Sequence, residues 1–268
     1  MLFCHDQLNR IFEIGSGPLR FVSLVPSQTE LLYDLGLNEE VVGITKYCVY
    51  PAEWFLSKPH VGGTKTISIE KIKQLKPDLI IANKEENTKE LIEKLEKSFA
   101  VWVSDIKTLN EALEMIIMLG EIAGKASEAC AIATEINKAF DRLEAILNNT
   151  SINKTAAYLI WRKPYMVAGT DTFVNDMMQR CGLTNAFATK QRYPEVSSHD
   201  LHLTNPDVIL LSSEPYPFRE KHINEFKAIC PEAKIVTVNG EFFSWYGSRL
   251  KMAPAYFISL LHELNTIN

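Results

Sequence analysis

The chain has 268 residues, 46% hydrophobic and 23% charged, with 12 glycines and 12 prolines, a composition that excludes a disordered chain and leaves room for one large domain or two lobes. A formal net charge of -5 gives no basic excess for wholesale attraction to nucleic acid or anionic lipid, which points to a small ligand.

In chain order, residues 21–24, 41–44, 79–82 and 100–103 are predicted strands, and residues 30–35 and 89–97 predicted helices. Alternation of strand and helix predicts a mainly parallel sheet. Residues 109–148 contain no proline, are rich in Ala, Glu, Leu and Ile, and are interrupted only by Gly120 and Gly124. Their second part, residues 125–147, is predicted as one connecting helix, about 30 to 35 Å long and stiff enough to limit hinge closure. Beyond it, residues 156–160, 208–211 and 235–238 are predicted strands, and residues 172–181, 223–230 and 254–264 predicted helices.

The chain also repeats itself. Residues 68–81, SIEKIKQLKPDLII, run parallel without gaps to residues 197–210, SSHDLHLTNPDVIL. In each, a serine (Ser68, Ser197) can cap a short helix, a proline (Pro77, Pro206) ends it, and an apolar run continues as a buried strand. Two units with the same punctuation predict two similar α/β lobes. The expected division is residues 1–124, a backbone helix over 125–148, and residues 149–268, with a ligand cleft between the lobes.

Ligands of open parallel sheets bind beyond the carboxyl ends of the strands. The residues that follow the predicted strands are aromatic and charged. Candidate ligand contacts are Gln28, Tyr50 and Glu85 in the first half, and Trp161, Arg162, Tyr165, Tyr216, Arg219, Trp245, Tyr246 and Arg249 in the second. Aromatic faces with Arg and Lys suit a large planar or catecholate-bearing chelate with peripheral anionic groups. The bland alternatives stay open: Tyr47, Tyr50 and Trp54 can simply pack over a loop, Trp161, Tyr216 and Trp245 can pack between lobes, and Arg162, Arg219 and Arg249 can be surface charges or ion-pair partners of Glu214 and Glu241.

Several chemistries find no support. Cys4, Cys48, Cys130, Cys181 and Cys230 are odd in number and lack a CxxC spacing, so buried reduced thiols are expected. His199 and His202, with Asp200, have helical spacing, yet the other histidines do not complete a ligand set, and no protein-bound metal or cofactor is expected. GxxxxGK[ST], GxGxxG, HExxH and GxSxG are all missing, and Gly15-Ser16-Gly17 is too short for a phosphate loop, which argues against an enzyme.

Taken in order, residues 6–14, residues 19–31, Val61-Gly-Gly-Thr64, the two Ser-to-Pro-Asp units, Ala168-Gly-Thr-Asp-Thr-Phe173, Asn175-Asp176 and Trp245-Tyr-Gly-Ser-Arg249 resemble the helical-backbone (class III) periplasmic substrate-binding proteins that serve ABC importers of iron-siderophores, haem and vitamin B12. The resemblance covers nearly the whole chain. It implies a monomeric two-lobed α/β protein that holds a metal chelate, and a permease partner met by carboxylates at the starts of the repeated helices. Glu70 takes that place in the first half; in the second it is His199, with Asp200 as the substitute or merely the partner of Ser197 in a capping box. The resemblance also implies an extracytoplasmic location. Residues 1–20 show no apolar core of a secretion signal and no stretch is long enough to span a bilayer, so a cytosolic chelate-handling protein or enzyme on the same fold is the alternative to a chain whose leader has been removed.

Overall fold

The computed structural model describes residues 2–15, 17–150 and 152–264, so Ser16 of the Gly15–Gly17 segment lies outside the described residues. The chain divides into two compact units, the first comprising Met1–Asp105, Asn110–Glu135 and Tyr246–Arg249, the second Ile106–Leu109, Ile136–Trp245 and Leu250–Asn268.

In the first unit, β1 (Leu2–His5) and β2 (Ile11–Ile14) form an antiparallel hairpin, while β3 (Phe21–Ser23), β4 (Val41–Ile44), β5 (Leu79–Asn83) and β6 (Val101–Ser104) form a parallel sheet in the order β4-β3-β5-β6. Helices α1 (Pro26–Asp34), α2 (Ala52–Ser57), α3 (Ile69–Leu75) and α4 (Lys89–Glu96) connect these strands. Every residue of β5 is buried, as expected of a strand covered on both faces. The hairpin is absent from the sequence reading, and its anchor is a side chain: Asp6, buried, accepts from the backbone N–H groups of Leu8, Arg10 and Val103 and from the Arg10 guanidinium. Trp102 Nε1 adds a bond to the His5 carbonyl at 3.1 Å.

Helices α5 (Leu109–Ile122) and α6 (Ala126–Leu147) follow. Gly124, at φ +67, ends the first of them in the left-handed conformation that glycine accepts without strain. The 22 residues of α6 correspond to about 33 Å, and the boundary between units falls within it, at Glu135 and Ile136.

The second unit repeats the first. Strands β7 (Lys154–Trp161), β8 (Tyr165–Val167), β9 (Leu183–Asn185), β10 (Glu195–Val196), β11 (Val208–Ser212) and β12 (Lys234–Val238) alternate with α7 (Phe173–Arg180), α8 (Ser198–Thr204), α9 (Ile223–Ile229), α10 (Glu241–Ser244) and α11 (Ala253–Glu263). β9, β7, β11 and β12 pair in parallel in the order seen for β4, β3, β5 and β6. β8 and β10 add an antiparallel extension at the carboxyl end of β7; at three and two residues they are too short to carry a periodicity.

The repeated segments match in detail. Ser68 and Ser197 cap α3 and α8, accepting from the N–H groups of Lys71 and Asp200. Lys76 and Asn205 end those helices at φ 47 and 42, both left-handed. Asp78 Oδ2 then accepts the Arg20 N–H, and Asp207 Oδ2 the Thr155 N–H, each at 2.8 Å. The Pro-Asp step thus ties the helix turn to the neighbouring strand in both units. Four cysteines are buried as expected, whereas Cys130 is exposed on α6; all five are free thiols.

Candidate functional site

At the carboxyl edge of the first unit's sheet, β3 runs directly into α1. Pro26 sits in the first turn, where its missing N–H is not needed, so residues 26–29 are helix rather than the expected loop. Gln28 consequently points inward: it is fully buried, and Nε2 donates to Ser104 Oγ at 2.6 Å. Ser104 Oγ also accepts from Asn83 Nδ2 and donates its one proton to the Ala82 carbonyl, so it must accept from both amides, which orients the Gln28 carboxamide. Gln28, expected as a ligand contact, stands here as a buried tie between α1 and β6. Glu85 follows β5 and is half-buried, with its N–H donating to Asn83 Oδ1 at 2.8 Å.

After β4, Tyr47 and Tyr50 are exposed, at 52% and 40%. Lys46 Nζ lies 5.1 Å from the Tyr47 ring centroid. Trp54, by contrast, is core, with Nε1 bonded to Asn38 Oδ1 at 2.7 Å. The segment Tyr246–Arg249 belongs to this unit. Arg249 makes two parallel bonds to Glu30, Nε to Oε2 at 2.8 Å and an Nη to Oε1 at 2.7 Å, and its guanidinium lies 4.4 Å above the Tyr50 ring. Its carboxylate partner is therefore Glu30 of α1, where the sequence suggested Glu214 or Glu241. Gly247 permits this approach, because a Cβ there would stand 2.5 Å from the Ser27 carbonyl oxygen. Tyr246, expected as a ligand contact, is buried.

The second unit gathers more of the expected residues. β7 ends at Trp161, which is 39% exposed and meets Tyr216 edge-to-face, with centroids 5.6 Å apart at 73°. Tyr216 continues into Phe218, which packs on Phe226 and His222. Arg162 pairs with Glu225 of α9: Nε lies 2.8 Å from Oε2 and an Nη 2.8 Å from the same oxygen, while the Tyr165 hydroxyl donates to Oε1 at 2.5 Å. Burial alone would raise the Glu225 carboxyl, but the Arg162 and Tyr165 hydrogen bonds hold it below the ordinary range. Tyr165 is pushed up to about 12 by burial and by its bond to that carboxylate. Arg219 is exposed, and its N–H donates to His222 Nδ1 at 3.0 Å.

Trp245 departs from the expectation of an open platform. It is 7% exposed, and Nε1 donates to Glu214 Oε1 at 2.9 Å, an oxygen that also accepts from Ser244 Oγ at 2.7 Å. Glu225, not singled out in the sequence, is the partner of Arg162 and Tyr165 that the sequence reading misses; a lone glutamate on a short helix carries no local signal.

At the starts of the repeated helices, Glu70 is exposed, its side chain at 79%, and pairs with Lys73 at 3.2 Å. Asp200 closes the capping box with Ser197, accepting from its N–H at 2.8 Å and its hydroxyl at 2.6 Å, and those bonds lower its pKa. His199 is exposed, and His202 Nδ1 donates to the Ile229 carbonyl at 2.9 Å. Among the described residues no group of three or more His, Cys, Asp or Glu side chains is placed to hold a metal ion, and no helix is long and apolar enough to cross a membrane.

The fold matches known proteins. The chain is 27% identical over 250 residues to the vitamin B12-binding protein of Photorhabdus laumondii, covering 92% of this chain and 90% of that one. It is 28% identical to YvrC, an ABC transporter substrate-binding lipoprotein of Bacillus subtilis, over 76% of this chain and 67% of that one. The crystal structure of the periplasmic vitamin B12-binding protein of Vibrio cholerae superposes with a TM-score of 0.79 at 26% identity, covering 93% of this chain and 99% of that one. The profile of the periplasmic binding protein family matches residues 22–229, and the chain belongs to that family.

Proposed function

We propose that this protein is the substrate-binding component of an ABC importer and that it captures one metal chelate per chain without transforming it. The observation that carries the reading is the set of rings at strand carboxyl ends, exposed Trp161 against half-buried Tyr216 in one unit and exposed Tyr47 and Tyr50 in the other. Flat, partly exposed rings suit a planar macrocycle through stacking, and each unit carries such rings at its own strand ends. The relatives named above bind vitamin B12 or serve an ABC transporter, which supports a corrinoid or a similar macrocyclic chelate as cargo and an extracytoplasmic site of action. A permease would be met at Glu70 and, more weakly, at Asp200, whose carboxylate is already engaged by Ser197. Calorimetric titration with cyanocobalamin tests the reading: saturable binding at one per chain, with the corrinoid recovered unchanged, is expected, and no heat with any macrocyclic chelate would remove it.

A further inference from the structure

Exposed Trp161 stands at the end of a chain of contacts that leads to a buried histidine, all of it within the second unit. Its ring meets Tyr216, the Tyr216 ring lies 5.6 Å from the His222 imidazole at 60°, and Phe218 closes on the same imidazole from 5.6 Å at 87°. Arg162, itself paired with Glu225, hydrogen-bonds Tyr216 as well. His222 is 7% exposed and ends the single 3-10 turn Glu220–His222, which leads into α9. Two bonds between the same pair of residues close that turn: the His222 N–H donates to the Arg219 carbonyl at 2.8 Å, and the Arg219 N–H donates to His222 Nδ1 at 3.0 Å.

An imidazole that accepts at Nδ1 carries its proton on Nε2 and is neutral, so a second proton on Nδ1 sets a donor against the Arg219 N–H. The charges around the ring do not offset that conflict. Burial, Lys221 of the same turn and Arg162 after β7 oppose a cation there; Glu225 of α9 favours one, but Arg162 and the Tyr165 hydroxyl of β8 already hold that carboxylate. We infer that His222 is a positioning residue for Trp161 and a proton-operated switch on it. Neutral, it closes the turn and holds Tyr216 against Trp161; protonated, it opens the turn, withdraws that support and weakens chelate binding. The switch rests on the proposed capture of a metal chelate and adds to it a release step driven by acidity. Because the ring is held neutral below the ordinary histidine range, binding is full at neutral pH and falls only as pH drops below about 6.5.

The test is calorimetric titration with cyanocobalamin, which does not itself titrate in this range, from about pH 7.5 to about pH 5, with far-UV circular dichroism at each pH to verify the fold. Wild type is expected to lose at least about threefold in affinity over that range, the loss following the protonated fraction of His222. His222→Asn, whose Oδ1 can accept the same N–H and does not titrate, is expected to lose less than about 1.5-fold. A second readout uses the wild-type chain without ligand: the Trp161 indole N–H resonance, identified by its loss in Trp161→Phe, is expected to shift with the same midpoint as the His222 imidazole protons. A wild-type affinity that stays level, an equal loss in His222→Asn, or a Trp161 resonance that ignores His222 overturns the switch and leaves chelate capture standing. Binding at no pH removes the proposed function, and the switch with it.

Discussion

Asp78 and Asp207 hold the same place in the two units, each accepting an N–H at the entry of the neighbouring parallel strand, that of Arg20 just before β3 in one and that of Thr155, second in β7, in the other, at 2.8 Å. A carboxylate on a backbone donor at a strand entry fixes where the ladder begins. Asp207 also accepts from Thr155 Oγ1 at 2.8 Å, and the bonds to the Thr155 backbone and hydroxyl hold its pKa below the ordinary value.

Asp78→Ala and Asp207→Ala are each expected to destabilise the protein by about 1 to 2 kcal/mol, and the Asn variants by less, because an amide oxygen still accepts. Urea denaturation measures this. Because its folded pKa is lowered, the Asp207 contribution is present above the unfolded pKa and is lost as pH falls through the folded one.

That repeat is legible in the sequence because its signals are local: Ser at the cap, a break at Pro, a buried run after Asp. The strand ends are legible for the same reason, as are α6 and the exposure of Trp161 and Tyr50. Charge pairing is not. Glu225 lies 63 residues from Arg162 and Glu30 lies 219 from Arg249, so only the fold reveals that both arginines are neutralised. Gln28, Trp245 and Tyr246 read as ligand contacts from their place beyond predicted strands, yet all three are buried: α1 begins early enough to turn Gln28 inward, and Glu214 gives the Trp245 indole a buried partner.

The two tryptophans at the strand ends should respond differently to truncation. Trp161→Ala is expected to weaken chelate binding by about 1 to 3 kcal/mol with little change in melting temperature, since the ring is 39% exposed. Trp245→Ala is expected to destabilise the fold by about 3 kcal/mol or more, because it empties a buried site and leaves Glu214 short of a donor. Binding titrations paired with thermal melts separate the two effects.

Gly247→Ala probes the Tyr246–Arg249 segment. The added methyl would stand 2.5 Å from the Ser27 carbonyl oxygen, a backbone atom that cannot swing away. Displacing the segment should loosen the Arg249–Glu30 pair and cost about 1 to 3 kcal/mol, seen as a lower denaturation midpoint and faster amide exchange at the start of α1.

His222 gives the fold a pH dependence. It is buried, its Nδ1 accepts the Arg219 N–H, and burial, then the charges of Lys221 and Arg162, hold its pKa below the ordinary histidine value against the pull of Glu225. The unfolded chain titrates near about 6.5 and takes up the proton first, so stability should fall as pH drops from about 7 toward 5. His222→Asn, whose Oδ1 can accept the same N–H, should flatten that slope in melts recorded across the range.

Chelate capture is tested most directly by native mass spectrometry of the chain mixed with equimolar cyanocobalamin, haem and a ferric tricatecholate siderophore. The account predicts a single adduct of one intact cobalamin per chain. A chain that stays bare in the mixture, or that releases a chemically altered chelate, would contradict it.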